Sequence, residues 1–187
     1  MSNLEYIKKI RKAAYCIYNE SEVNDALERM AKQMTDVLKE ENPLFLVVLM
    51  GGMMPCTNLV LKLDFPLEID YVHVSSFDLA TNTVGKLQWH VKPRIELADR
   101  TVVIVDDILD SGITFQLLKQ YCEDAKAKKV YTAAMLNKLV DRKPGGLKEA
   151  DFTALTVGDE FVFGYGLDYS NYLRNLPGIY AIKPDDL

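Results

Sequence analysis

The sequence predicts an α/β fold in which a central, mainly parallel, twisted sheet is flanked by helices. Two strand-like runs, residues 44–50 and 101–105, are rich in β-branched or other apolar residues and have the length of strands buried on both faces. A small-residue turn and a helical pattern follow each run, which is the order of a βα unit in an open parallel sheet. Ligands of such sheets gather at the carboxyl ends of the strands, so we expect a functional site there.

Composition limits the class of protein. The chain has 187 residues and a formal net charge of −5. This length suits one domain with a sizeable core, predicted here as residues 1–187. The negative charge disfavours non-specific binding to nucleic acid. Cys16, Cys56 and Cys122 are odd in number and lack paired metal spacing, which favours a reduced, cytoplasmic protein. Neither a signal-peptide pattern nor a bilayer-length apolar run is found, so no membrane partner is expected.

The N-terminal half alternates helices and strands. Residues 3–18 are expected to form a short helix and an edge strand at 16–18. Ser21 is the predicted N-cap of a helix that stops at Asn42-Pro43. After the strand at 44–50, Gly51-Gly52 forms either a ligand-binding turn or an ordinary tight turn. Residues 55–63 then resume as a helix, and residues 67–76 alternate as a third strand. The predicted apolar stripe of the long helix consists of Val23, Ala26, Leu27, Met30, Ala31, Met34, Val37 and Leu38.

Residues 77–92 are unusual for a compact domain. Polar and turn-forming residues fill the first part of this stretch, namely Asp78, Thr81, Asn82, Thr83 and Gly85. Long loops of this kind are often lids over a functional site. Trp89 and His90 either belong to such a lid or face the core from a short strand, and for His90 the structural role is the more common one. His73, inside a strand pattern, is expected to be structural.

The C-terminal half continues the same alternation. A helix is expected from Phe115 and a strand at 129–136. Residues 141–146 are predicted as a solvated loop. Short strands at 151–155 and 161–165 are expected near the end of the sheet, and residues 179–182 as a last edge strand.

The central motif places acids beside an anion-binding turn. Asp106 and Asp107 directly follow the apolar run, and Asp110 comes three residues later. Neighbouring residues of a strand point to opposite faces, so the pair reaches one ligand only if the strand ends there. At such an end they can hold two hydroxyls or a hydrated Mg²⁺. Residues 111–114 lie at a helix start, where unpaired N–H groups and the helix dipole favour an anion.

Residues 103–114, VIVDDILDSGIT, resemble the phosphoribosyl pyrophosphate (PRPP) signature of type I phosphoribosyltransferases. From about residue 21 to about residue 182 the chain resembles the hypoxanthine-guanine branch of that family. Three further motifs fall in the order of the family: the Leu49–Gly52 turn, Lys138 at a strand end, and the segment 161–169 with Arg174 after it. Phe161, Lys138 and Arg174 taken singly are better explained by core packing or by solvated surface charge. Their joint order favours the functional interpretation.

The resemblance implies a hood, built from the N-terminal segment and the C-terminal part, and a mobile lid loop at about residues 76–92 that begins at Ser75-Ser76. It also implies a role for each residue that matches a family motif. Asp106 and Asp107 would bind the ribose hydroxyls and Mg²⁺, with Asp168 as a further Mg²⁺ ligand. Asp110 would be the general base, and Asp110, Ser111, Gly112, Ile113 and Thr114 would form the 5′-phosphate site. Met50, Gly51 and Arg174 would bind pyrophosphate, across a cis peptide before Met50. Lys138, Phe161, Val162 and Asp168 would bind the purine.

The resulting expectation is a Mg²⁺-dependent enzyme of purine salvage that converts PRPP and hypoxanthine or guanine into IMP or GMP and pyrophosphate. A Lys donor at Lys138 suits the 6-oxo group of these bases and suits the 6-amino group of adenine poorly. The alternatives are a xanthine-preferring transferase and a non-catalytic regulator of the same fold that senses PRPP or nucleotide. The family implies a homodimer or homotetramer, with no nucleic acid or membrane partner.

Overall fold

The computed structural model describes residues 3–77 and 86–183, and for Ser76 and Phe77 it describes the backbone alone. The helices are α1 Asn3–Ala13, α2 Glu20–Leu38, α3 Met53–Val60 and α4 Ile113–Asp124. The strands are β1 Tyr15–Tyr18, β2 Leu44–Leu49, β3 Glu68–Phe77, β4 Lys86–Val91, β5 Thr101–Leu109, β6 Lys129–Lys138, β7 Phe152–Val157, β8 Val162–Phe163 and β9 Ile179–Ala181. Within these described ranges, no helix has the length and apolarity needed to cross a membrane.

A six-stranded sheet confirms the predicted fold class. Its strand order is β4-β3-β2-β5-β6-β7, and every pairing is parallel except β3 with β4. The first five residues of β5 are fully buried because alternate side chains enter different cores. Val103 and Val105 pack with α2 and α3, whereas Val102 and Ile104 pack with α4. The carboxyl ends of β2, β5 and β6 therefore meet at one edge of a rigid, doubly covered sheet.

A second, three-stranded antiparallel sheet in the order β1-β9-β8 joins the two ends of the described chain. The N-terminal helix covers it, with Ile7 and Ile10 packed against Phe163 and Leu176. This sheet corrects two expectations. Residues 179–182 do not form an edge strand, because β9 lies between its two partners. The strand expected at 161–165 is not part of the central sheet and is shorter than predicted.

The long helix α2 begins at a different cap from the one predicted. Asn19, not Ser21, is its N-cap. The Asn19 side chain accepts from the Glu22 amide at 3.1 Å, and the Asn19 amide donates to the Glu22 carboxylate at 2.8 Å. Asn and Ser cap equally well, so the reciprocal bond from Glu22 decides the position. Val37 was predicted as part of the apolar stripe but is 43% exposed, whereas the other predicted members are buried.

The segment predicted as a lid is a strand over part of its length. β4 pairs antiparallel with β3, so residues 86–91 are not loop. Trp89 packs on the α4 side of the sheet, 4.5 Å from the Tyr121 ring between centroids, as the core alternative predicted. His90 is exposed and lies 4.7 Å from the His73 ring. The polar stretch at residues 78–85 lies outside the described residues.

Candidate active site

The carboxyl edge of the central sheet carries an open cleft made of two adjoining pockets with volumes of about 220 and 250 Å³. The helix-side pocket lies at the start of α4 and is lined by Asp106, Asp107, Ile108, Asp110, Ser111, Gly112, Thr114 and Phe115. The other pocket is called hood-side because residues of the predicted hood line it, and its lining consists of Asp107, Ile108, Asp110, Lys138, Glu160, Phe161, Val162, Leu167 and Asp168. Three residues, Asp107, Ile108 and Asp110, line both pockets, so the cleft is continuous.

The acid pair Asp106 and Asp107 lies within β5, since the strand continues to Leu109. Both nevertheless line the helix-side pocket. The Asp107 amide donates to the Asp106 carboxylate at 2.9 Å. Burial raises the pKa of Asp106 well above its usual range, and repulsion from Asp107 adds to that rise. Burial likewise raises the pKa of Asp107. Two half-buried carboxylates that resist joint ionisation are stabilised by a nearby cation.

The Asp106 and Asp107 carboxylates fit the coordination that Mg²⁺ adopts beside phosphates. Mg²⁺ uses one or two carboxylates and completes its octahedron with water and substrate oxygens. Among the described residues no group of three or more Asp, Glu, His or Cys is arranged to hold a metal ion by itself. Asp168, predicted as a further ligand, is already engaged by Arg174 at 2.6 Å and by the Asn171 amide at 2.8 Å. Its role as a metal ligand stays a prediction.

Glycines bring the turn after β2 into contact with the acids. The peptide bond between Leu49 and Met50 is cis. At Gly51, an added Cβ would lie 1.8 Å from the Asp107 carboxylate, and at Gly166 it would lie 2.3 Å from the Gly51 carbonyl. A side chain at Gly51 would displace the Asp107 carboxylate, and one at Gly166 would meet the Gly51 backbone, so these two glycines let the turn lie directly against both groups. Met50 is 44% exposed beside this turn.

The start of α4 forms a backbone cradle. Gly112, the N-cap, has φ of 79°, a left-handed conformation that few other residues adopt. The Ile113 amide donates to the Ser111 hydroxyl at 3.4 Å. The first residues of this twelve-residue helix line the helix-side pocket, and a helix start favours an anion through its dipole. The helix begins within the segment 111–114, as predicted.

Lys138 ends β6 and reaches the hood-side pocket. Parallel pairing places Leu109 beside Asn137, so the residues that follow, Asp110 and Lys138, emerge together. Their charged atoms are 3.9 Å apart. The Lys138 ammonium also lies 3.3 Å from the Asp159 carboxylate, which is 86% exposed. The Lys138 side chain is only 14% exposed, so it is not a solvated surface charge.

Apolar walls complete the hood-side pocket. Phe161 is 63% exposed, which excludes core packing, and its ring meets the Tyr169 ring edge-on at 5.6 Å. Val162 is buried beside it in the small sheet. Ile108 lines both pockets and was not identified from the sequence, although it stands between the predicted acids. A flat, largely apolar ring system with polar edges fits this composition.

Arg174 is held by two groups of the hood. Its guanidinium donates to the Gly166 carbonyl and pairs with Asp168. The charge of Arg174 partly opposes the rise that burial causes in the pKa of Asp106 and Asp107. Ser75, in contrast, does not line the cleft. Its hydroxyl lies 3.0 Å from the His90 ring on β4, and the Ser76 side chain is outside the described residues.

Comparisons with known proteins agree with this geometry. Residues 15–170 match the model of the phosphoribosyl transferase domain family. A hypoxanthine-guanine phosphoribosyltransferase of Bacillus subtilis is 32% identical over 171 residues, which cover 90% of this chain and 92% of that protein. A bifunctional TilS/HprT protein of Listeria innocua is 34% identical over 169 residues, and there the chain spans only 26% of its relative. The crystal structure of a hypoxanthine phosphoribosyltransferase of Staphylococcus aureus superposes with a TM-score of 0.86 at 26% identity, covering 99% of this chain and 98% of the other.

Proposed function

Since the chain belongs to the phosphoribosyl transferase family, in its hypoxanthine-guanine branch, we propose that it transfers 5-phosphoribosyl from PRPP to hypoxanthine or guanine in purine salvage. The products are IMP or GMP and pyrophosphate. The observation that carries the proposal is the pairing of a carboxylate and an ammonium, Asp110 and Lys138, 3.9 Å apart in a pocket that adjoins a helix-start cradle.

The hood-side pocket binds the base. Lys138 donates to the 6-oxo group, because an ammonium has donors and no acceptor. Asp110 accepts the proton that the purine loses as its nitrogen attacks the anomeric carbon. Phe161 and Ile108 enclose the ring, and the Val162 backbone reads its edge. An adenine amino group would bring its hydrogens towards Lys138, which selects for 6-oxopurines.

The rest of the cleft binds PRPP. Asp106 and Asp107 accept from the ribose hydroxyls, and residues 111–114 enclose the 5′-phosphate through backbone amides and hydroxyls. The Met50-Gly51 turn and Arg174 bind the pyrophosphate. Asp106 and Asp107 would hold Mg²⁺, with Asp168 as a further candidate. When bound, this ion supplies positive charge for the leaving pyrophosphate.

One assay tests the proposal. Purified protein is given PRPP and Mg²⁺ with hypoxanthine, guanine, xanthine or adenine in parallel, and nucleotide and pyrophosphate are measured. We expect turnover with hypoxanthine, guanine or both, and little with adenine. If xanthine were the best base, the protein would be a xanthine-preferring transferase. If nucleotide bound but no base were turned over, the protein would be a non-catalytic sensor and not an enzyme.

We also propose that the chain forms homodimers or homotetramers through the face made by α3 and β3. An open, mainly apolar groove lies there beside exposed side chains, with Leu61 at 81% and Ile69 at 51% exposure. Light scattering after gel filtration should give the molar mass of an oligomer for the wild type and that of a monomer for the double variant Leu61→Asp, Ile69→Lys. Val37→Asp is the matched control, because Val37 is apolar and exposed but lies outside this groove. A monomeric wild-type protein would contradict the proposal.

The thiols support a cytoplasmic location. Cys56 and Cys122 are buried, and burial raises the pKa of each thiol to about 12. All three cysteines are free, so the described fold does not depend on an oxidising compartment. Fractionation of cells that express a tagged chain tests this location.

A further inference from the structure

Arg142 makes more hydrogen bonds at the cleft edge than its place in an expected solvated loop would predict. One guanidinium nitrogen, Nη1, lies within hydrogen-bond distance of three backbone carbonyls: Leu109 at 3.0 Å, Asp110 at 2.7 Å and Lys138 at 2.8 Å. Because Nη1 carries two hydrogens, at least one of them is shared between two carbonyls. Nε donates to the Lys148 carbonyl at 3.2 Å, and Nη2 donates to the Asn137 side chain. Arg142 lies in a loop, as predicted, but it is half-buried and not a solvated residue.

The bonds of Arg142 join the ends of two neighbouring strands. β5 ends at Leu109 and β6 at Lys138, so the backbone carbonyls there leave the sheet ladder. Backbone carbonyls at half-buried strand ends need hydrogen-bond donors, and a planar guanidinium with five donors can serve several at once. The Lys138 carbonyl accepts from the Val140 amide at 3.0 Å as well. A lysine ammonium at the same place has three donors and no planar fork.

The segment after Arg142 continues this support under the start of α4. The Lys143 amide donates to the Ser111 carbonyl at 3.1 Å, and the Leu147 amide donates to the Gly112 carbonyl at 3.0 Å. At Gly146, an added Cβ would lie 2.3 Å from the Ser111 carbonyl. The cradle and the loop are thus in backbone contact, with Arg142 at one end of the contact.

We propose that Arg142 is a positioning residue that fixes Asp110 relative to Lys138. The inference rests on the proposed function, because it concerns the placement of the base and the 6-oxo donor of that reaction. Both residues are held through their own carbonyls, and Arg142 itself lines neither pocket. A purine must meet Asp110 and Lys138 at two places on one rigid ring. A shift of about 1 Å between reacting groups costs about 10²-fold in rate.

A general structural role makes a different prediction. If Arg142 merely stabilised the fold, its loss would lower the amount of folded enzyme. The molecules that remain folded would keep the wild-type rate and selectivity. If Arg142 is a positioning residue, its loss lowers kcat of the folded protein. The preference for hypoxanthine over adenine also becomes smaller, because Lys138 is no longer held where it can donate to the 6-oxo group.

The test compares Arg142→Ala, Arg142→Lys and the control Arg29→Ala, an exposed arginine on α2. Each variant is checked for folding by circular dichroism and thermal unfolding. Then kcat and KM are measured for PRPP, hypoxanthine and adenine. We expect kcat of folded Arg142→Ala to fall about 10²-fold with a lower hypoxanthine-to-adenine ratio. Arg142→Lys should lie between it and the wild type, and Arg29→Ala should match the wild type.

Added guanidinium chloride, far below denaturing concentrations, should restore part of the activity of Arg142→Ala. It should not increase the activity of the control, Arg29→Ala. Wild-type kcat and selectivity in folded Arg142→Ala would overturn the inference. So would a rate loss that equals the unfolded fraction and that guanidinium does not reverse. An inactive wild-type protein would instead refute the proposed function, and the inference with it. Normal wild-type turnover with unaffected Arg142 variants refutes the inference alone.

Discussion

Asp110→Asn removes the proposed general base with little change of shape. Asn keeps the size of the side chain and its ability to hydrogen-bond, but it cannot take up a proton. The Asp110 carboxylate lies 3.9 Å from Lys138 and its side chain is 55% exposed, so substitution leaves no unpaired group in the core. Lys138 keeps its other carboxylate partner, Asp159, at 3.3 Å. The effect should therefore fall on chemistry and spare folding.

The magnitude follows from the role of the base. A positioned general base contributes about 10²–10⁴-fold in rate. At about 1.36 kcal/mol for each factor of ten, this corresponds to about 2.7–5.4 kcal/mol of transition-state stabilisation. Nucleotide binding should change much less, because the cradle at residues 111–114 and the walls at Phe161 and Ile108 are untouched.

The assay measures kcat with saturating PRPP and hypoxanthine, together with the Kd for IMP by calorimetry. Asp159→Asn is the matched control, because it removes the other carboxylate beside Lys138 without touching the pocket lining. An exposed ion pair is worth about 0–1 kcal/mol, so the control should lose at most about fivefold in rate. A near-normal kcat for Asp110→Asn, or equal losses in both variants, would remove Asp110 from the base role.

Three further outcomes are expected. Lys138→Gln should lower kcat/KM for hypoxanthine and guanine by about tenfold or more while adenine turnover rises relative to them, as measured in the same assay, because a neutral amide no longer favours an acceptor. Asp70→Asn should lower the free energy of unfolding by about 2–5 kcal/mol in urea titrations, since the buried carboxylate accepts from the amides of Tyr71 at 2.8 Å, Arg94 at 2.6 Å and Ile95 at 2.8 Å. Hydrogen bonds from Lys129, Lys128 and Thr101 lower the pKa of Glu41 to about 2, so its contribution to stability is present above the ordinary pKa of 4.5 and is lost as pH falls through about 2. The urea midpoints of wild type and Glu41→Gln should therefore differ at neutral pH and converge near pH 2.

The sequence predicts the cleft well because parallel strands converge. β2 and β5 begin as buried apolar runs; the glycine turn follows β2 directly, and Asp106 and Asp107 lie near the carboxyl end of β5. Adjacent parallel strands put those ends side by side, so Gly51, Asp107 and Lys138 meet without further information. The helix start at residues 111–114 follows from a local pattern of the same kind. These features depend on residues close together in sequence or on one simple rule of sheet geometry.

Other features depend on partners that local pattern does not encode. β1 and β9 each look like edge strands, yet they pair with each other across most of the chain. Arg142 stands four residues after Lys138 in a polar loop, and its partners are mostly backbone carbonyls, which every residue has. Asn19 and Ser21 are equivalent caps until Glu22 is considered. In each case the deciding contact lies outside the local sequence pattern.

The charges of the cleft favour the backbone phosphate sites proposed above. Among the described residues that line the hood-side pocket, four are acids, Asp107, Asp110, Glu160 and Asp168, and one is a cation, Lys138. Further side-chain cations at the turn after β2 would pair with those acids and compete with substrate. Backbone amides at that turn and at the α4 start attract phosphate without being neutralised by carboxylates. An uncharged, exposed Met50 is compatible with such a site, because the amide that binds belongs to the backbone and not to the side chain.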